Sequence, residues 1–169
     1  YTYDLLVIGG GSGGLAASKE AAYARPGLKV GVFDFVKPTV HGTKWGLGGT
    51  CVNVGCIPKK IMHYAGILGH KLTETQALGW ELNGAVENKK HNWKTLVRNV
   101  GDYIKALNYN YKKNLMDAKV EYINAYAKFI DAHTIEYTDE KGNVKTTTTE
   151  KVIIAVGGRP KYPSDVEGA

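Results

Sequence analysis

A chain of 169 residues with 43% hydrophobic and 22% charged residues is long enough for one well-buried domain and too short for two of ordinary size. Its net charge of +6 is dispersed over doublets such as Lys59–Lys60, Lys89–Lys90 and Lys112–Lys113, and its eleven tyrosines form no base-stacking motif, so no nucleic acid partner is expected. No apolar run approaches the ~20 residues of a membrane helix and no stretch reads as a signal peptide, which leaves no membrane partner and the cytoplasm as the expected compartment.

Thr2–Ile8 reads as a short apolar strand and runs into Gly9-Gly10-Gly11-Ser12-Gly13-Gly14. Leu15–Ala24 is Ala-rich and helix-favouring, and Pro26-Gly27 stops it. Lys29–Asp34, built on Val30, Val32 and Phe33, is a second strand. Strand, glycine turn, helix and strand in succession make the βαβ unit of a parallel sheet.

Phe35–Thr50 is loop by composition, with Pro38 and four glycines. From Cys51 onward Ile57, Ile61, Ala65 and Leu68 recur at helical spacing, which predicts a helix to about Leu72. Thr73–Lys90 reads as irregular. Asn92 is a candidate N-cap for a helix burying Trp93, Leu96, Val97, Val100, Ile104 and Leu107. The last third turns to strands: Lys119–Asn124, Ala127–Ile130, Thr134–Tyr137, Lys145–Thr149, and Val152–Val156 as a run expected to be buried on both faces. Gly157-Gly158-Arg159-Pro160 ends it.

Gly9, Gly11 and Gly14 form a G-x-G-x-x-G between strand and helix, where the motif has a mechanism. Gly9 permits the turn, Gly11 lets the backbone approach a pyrophosphate, and Gly14 lets helix and strand pack closely. Phosphates then rest on the helix N-terminus, where unpaired N–H groups and the helix dipole favour anions. Asp34, twenty residues after Gly14, can accept from an adenosine ribose and would repel a 2′-phosphate, which favours FAD or NAD over NADP at this turn.

Cys51 and Cys56 are the chain's two cysteines. A regular helix would hold residues five apart at roughly 8–9 Å between Cα atoms, whereas a disulfide needs about 4.4–6.8 Å. Oxidation of the pair therefore requires a helix distorted between them, and Gly55 allows that. The start of a helix also supplies a dipole that can lower a thiol pKa. Zinc is a competing use: His41 or His63 would have to supply ligands, and no second cysteine pair or paired-histidine motif exists, so no metal is expected. Two merely structural core cysteines remain a third alternative.

The stretch Gly48-Gly49-Thr50-Cys51-Val52-Asn53-Val54-Gly55-Cys56-Ile57-Pro58-Lys59-Lys60, with Trp45-Gly46-Leu47 before it, closely resembles the redox-active segment of the high-molecular-weight thioredoxin reductases, relatives of glutathione reductase. The resemblance extends to Asp4–Gly14, Asp34–Phe35, Asn124–Tyr126 and Ile154–Pro160, and so covers essentially the whole chain. It implies an α/β fold: a Rossmann-like FAD-binding domain with a parallel sheet, helices and an added antiparallel β-meander, present here as its N-terminal portion only. The FAD site would draw on Gly9, Gly11, Ser12, Gly13, Gly14, Asp34, Phe35, Gly49, Thr50, Ala125, Tyr126, Ala155 and Gly157. Cys51 would be the interchange thiol, Cys56 the thiolate against the flavin ring, and Lys59 a charge near the flavin that stabilises both. Where the family has Ala-Thr-Gly this chain has Ala155-Val156-Gly157, which keeps a β-branched shape and loses a hydroxyl.

The same resemblance implies NADPH bound by a downstream domain, a homodimer interface with a His–Glu acid–base pair, and a returning strand of the FAD domain, none of them in this chain. The parent protein would pass electrons from NADPH through FAD to Cys51–Cys56 and on to thioredoxin or a small disulfide substrate. The isolated chain is expected to be inactive, to bind FAD weakly and to expose an open sheet edge. A glutathione reductase-type enzyme, a non-catalytic flavin-binding module and another flavin or NAD enzyme using the turn alone are the alternatives.

Overall fold

The computed structural model describes residues 1–37, 44–82, 84, 86–158, 163 and 165–167. Pro38 and His41, and the Arg159-Pro160 end of the last motif, lie outside them. Among the described residues ten elements follow in chain order: β1 (Tyr3–Ile8), α1 (Ser12–Ala24), β2 (Val30–Phe33), α2 (Gly49–Asn53), α3 (Cys56–Ala77), α4 (Trp93–Asp117), β3 (Val120–Ile123), β4 (Ala125–Phe129), β5 (Thr134–Asp139) and β6 (Val144–Ile154). They divide into two compact units, one of residues 1–35 and 118–169, the other of residues 36–117.

The first unit is a six-stranded sheet in the order β3-β2-β1-β6-β5-β4. β3, β2, β1 and the end of β6 run parallel, with Val7 beside Val32 and Ile153. β4, β5 and the start of β6 form an antiparallel meander. The Rossmann-like parallel sheet with an added meander is therefore present. Its core is apolar where strand alternation places large side chains on one face: Leu6, Phe33, Ala125 and Ile135 are buried together, with Tyr3, Ile8, Ile123, Ala127, Tyr137 and Val152 packed against them. Each fully buried Leu, Ile or Phe contributes about 1.5–3 kcal/mol relative to exposure.

Two expectations change here. Lys145–Thr149 and Val152–Val156 are not separate strands but one, β6, which pairs with β5 through Val144–Thr148 and with β1 from Thr149 on. The charged pair Glu150 and Lys151, which reads as a break in sequence, is exposed, and its two side chains pair with each other at 3.7 Å, so neither charge is forced into the core. Nor is the apolar run buried on both faces: Ile154 is 66% and Val156 65% exposed. Among the described residues, no strand pairs with residues 150–154 along the edge away from β1.

The second unit is helical. α4 packs against both α2 and α3. Asn92 caps α4, its side-chain oxygen accepting from Thr95 N–H at 3.0 Å. The buried row is Leu96, Val100, Ile104, Leu107, Asn108, Tyr111 and Leu115, all at least half-buried, while Trp93 and Val97 are exposed. Including Trp93 and Val97 made the predicted apolar stripe too wide: packing uses the narrower row at spacings of three and four. α3 runs to Ala77, five residues beyond the expected end, so the first part of Thr73–Lys90 is helical. No residue of α3 is fully buried.

Candidate functional site

In the sheet unit the chain leaves β1 at Ile8 and enters α1 at Ser12 through a turn that tolerates little beyond glycine. Gly9 has φ +113°, and a Cβ on it would stand 2.2 Å from the Ala155 carbonyl oxygen. A Cβ on Gly14 would stand 1.7 Å from the Gly9 carbonyl oxygen. Gly9 N–H donates to Phe33 O at 2.7 Å, and Ala155 N–H to Ile8 O at 2.8 Å, so the ends of β1, β2 and β6 are tied together around the turn. The Gly9, Gly14 and Ala155 positions are thus set by backbone-to-backbone contact.

The first turn of α1 is open in chemistry as well as space. Its N-cap is Gly11, with no side-chain cap and no acidic residue in the first turn. Ser12 and Gly13 are exposed, and a Cβ on Gly13 would meet nothing within 4 Å. Uncapped N–H groups at the positive end of a helix, with room beside them, fit a pyrophosphate.

Asp34 follows β2 and accepts from Gly10 N–H through Oδ1 at 3.0 Å, joining the acidic residue to the glycine turn. Burial holds its carboxyl above the usual aspartate range, and the Gly10 hydrogen bond only partly offsets this. Tyr122 on β3 is pushed up to about 12, first by burial and then by the charges of Asp34 and Glu140. Phe35 is half-buried beside Asp34, and Ala125 is a core residue at the start of β4. That leaves its backbone, not its side chain, as the part able to meet a ligand. Tyr126 beside it is exposed, and Gly157 has φ +68° with open space around it.

In the helical unit the cysteine segment is not one helix. α2 ends at Asn53, with Val54 N–H closing its last turn on Thr50 O at 3.0 Å. α3 begins at Cys56, and its first turn closes from Lys59 N–H to Gly55 O at 3.2 Å. The break falls at Val54-Gly55, where oxidation of the pair would require a distortion and Gly55 allows one. Gly55 is needed there because a Cβ would meet Thr50 O at 2.9 Å and Cys51 Cα at 3.1 Å.

Cys51 is half-buried and Cys56 exposed, both as free thiols. The break brings the Cys56 thiol close enough to Cys51 to bear on its titration, and the backbone N–H groups of Cys56 and Ile57, in the first turn of α3, bear on it as well. The thiol–thiol hydrogen bond, then burial, then repulsion by Cys56 hold the Cys51 thiol above the usual cysteine range, and the two N–H groups pull it back only in part. The helix-start effect expected to lower a thiol pKa is therefore present at Cys51 but outweighed. Lys59 is exposed three residues after Cys56, on the same side of α3. Gly49, with φ +72°, and the exposed Thr50 open α2 just ahead of Cys51. No cluster of three metal-ligating side chains occurs among the described residues.

Two asparagines that sequence reasoning did not single out lock this segment. Asn53 accepts from Gly46 N–H at 3.1 Å and donates to Gly46 O at 2.9 Å and Gly49 O at 2.8 Å. Asn108 on α4 donates to Leu47 O at 2.7 Å and to Asn53 Oδ1 at 3.1 Å. The fixed backbone partners dictate which end of each amide is oxygen. A signal for Asn108 does exist: it continues the row Val100–Ile104 at a spacing of four, where the pattern calls for an apolar residue.

The model of the pyridine nucleotide-disulphide oxidoreductase family matches residues 3–169. The chain belongs to that family. It is 58% identical over 167 residues to thioredoxin reductase SEP1 of Emiliania huxleyi, 99% of the chain and 32% of that protein. It is 53% identical over 170 residues to mitochondrial thioredoxin reductase 2 of Drosophila melanogaster, all of the chain and 32% of the relative. With thioredoxin reductase of Plasmodium falciparum it shares 50% over 173 residues, 31% of the relative. The chain thus spans about a third of the length of these curated relatives. Membership implies chemistry with FAD and a nicotinamide dinucleotide. No helix among the described residues is long and apolar enough to cross a membrane.

Proposed function

We propose that this chain is the FAD-binding, disulfide-bearing N-terminal part of an NADPH-dependent thioredoxin reductase. The observation that carries the reading is the break at Val54-Gly55, which lets Cys51 and Cys56 meet, in a family whose chemistry is disulfide exchange. The relatives' names supply thioredoxin as substrate. NADPH would be held by a part of the parent outside this chain, and the parent would be a homodimer.

FAD, when bound, carries the two electrons from the nicotinamide to the cysteine pair. Gly11, Ser12, Gly13 and Gly14 would hold its pyrophosphate on the first turn of α1, with Gly9 shaping the turn. Asp34 would take a ribose hydroxyl, with Phe35, Ala125 and Tyr126 toward the adenine end and Gly49, Thr50, Ala155 and Gly157 toward the flavin.

The exchange itself needs only the two sulfurs. The Cys51 thiolate attacks a sulfur of the substrate disulfide, and one substrate thiol leaves. Cys56 then attacks the Cys51 sulfur of the mixed disulfide, the second substrate thiol leaves, and the Cys51–Cys56 bond closes. Lys59 supplies positive charge to the Cys56 thiolate.

The test is the visible absorption spectrum of the protein with FAD, before and after a dithiol reductant, in unaltered, Cys51→Ser and Cys56→Ser forms. Bound flavin with a long-wavelength band that persists in Cys51→Ser and disappears in Cys56→Ser is expected. Bound flavin that responds to neither substitution would leave a dinucleotide site and remove the redox assignment.

A further inference from the structure

We propose that Asn53 and Asn108 act as a clamp that fixes the position of α2 ahead of the break, and thereby sets how readily the Cys51–Cys56 disulfide forms. The inference rests on the disulfide-exchange function proposed above and makes Asn108 a positioning residue for Cys51.

Two arrangements compete for this segment. In one, α2 and α3 form a single regular helix, and Cys51 and Cys56 stand roughly 8–9 Å apart at Cα, too far for a disulfide. In the other, the helix breaks at Val54-Gly55 and the sulfurs meet. Gly55 and Pro58 already disfavour the first: in one continuous helix Pro58 would have no N–H to give the Val54 carbonyl, and its ring would clash with it. They set the break but not where α2 lies ahead of it.

The asparagines hold α2 at both ends. Asn108 reaches Leu47 O, just ahead of α2, and Asn53 Oδ1 on its last residue. Asn53 pairs with the Gly46 peptide in both directions, N–H to Oδ1 and Nδ2 to carbonyl, as a neighbouring strand would. It donates besides to Gly49 O, at the first residue of α2. Gly46 leaves room for this: a Cβ there would stand 2.4 Å from Asn108 Cγ. Both amides are part-buried, so their hydrogen bonds are shielded from competing water. Rotating α2 into line with α3 would break the links to Gly46, Leu47 and Asn108 together.

Loss of the clamp then frees α2 to move and Cys51 with it, and the disulfide becomes harder to form. The experiment is thiol–disulfide equilibration of the FAD-loaded full-length protein in mixtures of reduced and oxidised dithiothreitol, without nicotinamide, followed by alkylation and mass measurement of the remaining thiols. On oxidation Cys51 and Cys56 give two electrons and two protons to cyclic dithiothreitol, whose S–S bond opens to two thiols as the Sγ–Sγ bond forms. Asn108→Ala is expected to shift this equilibrium about tenfold toward the dithiol, about 30 mV for a two-electron couple. Asn108→Asp, which sets a carboxylate against Leu47 O and Asn53 Oδ1, is expected to shift it at least as far. Asn110→Ala, exposed on the same helix, leaves it in place.

A purely structural role for Asn108 would weaken the oxidised and reduced forms alike and leave the equilibrium unmoved. An equilibrium within twofold of the unaltered protein, in an Asn108 variant that still binds FAD, overturns the clamp. Where Asn108→Asp does not fold, Asn108→Ala, which buries no charge, decides by the same criterion. If the unaltered protein forms no Cys51–Cys56 disulfide at any dithiothreitol ratio, the function itself is overturned; if it does and the variants match it, only the clamp is.

Discussion

The glycine turn of the sheet unit and the cysteine segment of the helical unit both depend on a backbone that departs from regular structure, but they are held in different ways. At Gly9–Gly14 the constraint is backbone against backbone: Gly14 against the Gly9 carbonyl, and Gly9 against the Ala155 carbonyl. At Cys51–Cys56 the constraint is side chain against backbone, with Asn53 and Asn108 holding the peptides around α2. A site fixed by main-chain contact fails when a methyl group is added, because no rotamer change can relieve it. A site fixed by side-chain amides can be loosened by degrees, which suits a pair whose sulfurs must both separate and bond.

The sharpest break of that comparison is Gly14→Ala against Gly13→Ala. The first places a methyl 1.7 Å from a carbonyl oxygen and is expected to cost more than about 4 kcal/mol, enough to prevent folding. The second meets open space in the first turn of a helix and is expected to leave FAD-free stability unchanged or raise it by up to about 1 kcal/mol. It should nonetheless weaken FAD binding, because the methyl occupies the room beside the uncapped N–H groups. Thermal melts with and without FAD separate the two effects; equal melting points for both variants would show that the turn is not held by main-chain contact.

Gly55→Ala sharpens the other side. Its methyl would press on Thr50 O and Cys51 Cα at 2.9 and 3.1 Å, close enough to push α2 aside without preventing the fold. A loss of about 1–3 kcal/mol is expected in chemical denaturation. The thiol–disulfide equilibrium should move with it, because Cys51 is one of the displaced atoms. Full stability with an unchanged equilibrium would mean that the break at Val54-Gly55 accommodates a side chain.

This contrast also explains what the sequence disclosed. The turn was legible because main-chain contact leaves glycine as the permitted residue at Gly9 and Gly14, and their spacing records it directly. The break between the cysteines was legible on the condition that they bond to each other, since a regular helix cannot bring residues five apart into bonding range. Asn108 was legible only as a polar residue in the apolar row of α4; its partner, a peptide 61 residues away in sequence, was not, because helical spacing does not record what a face packs against. The union of two expected strands into β6 was hidden for a related reason: Glu150-Lys151 looks like a turn until both side chains are seen outside the core. Trp93 and Val97 show the converse, since helical spacing identifies a face and only packing decides how wide it is.

The smallest effect concerns Asp34, and its pH dependence identifies it. The folded protein holds this carboxyl above its ordinary value because burial disfavours the charge more than Gly10 N–H supports it. A folded-state pKa above the unfolded one means that the folded chain binds the proton more tightly. The contribution to stability is then full below the ordinary aspartate value, near 3.8, and is lost as pH rises through the folded pKa. Asparagine keeps an oxygen for Gly10 N–H and carries no charge at any pH. FAD-free Asp34→Asn should therefore gain stability relative to the unaltered protein across the window that opens near pH 3.8 and reach a plateau above the folded pKa, as read from denaturation midpoints at stepped pH. Its FAD affinity should fall roughly tenfold or more, the value of a charged hydrogen bond to a ribose hydroxyl. A stability difference of the opposite sign would mean that the ionised carboxylate supports the turn and is not merely tolerated there for its ligand.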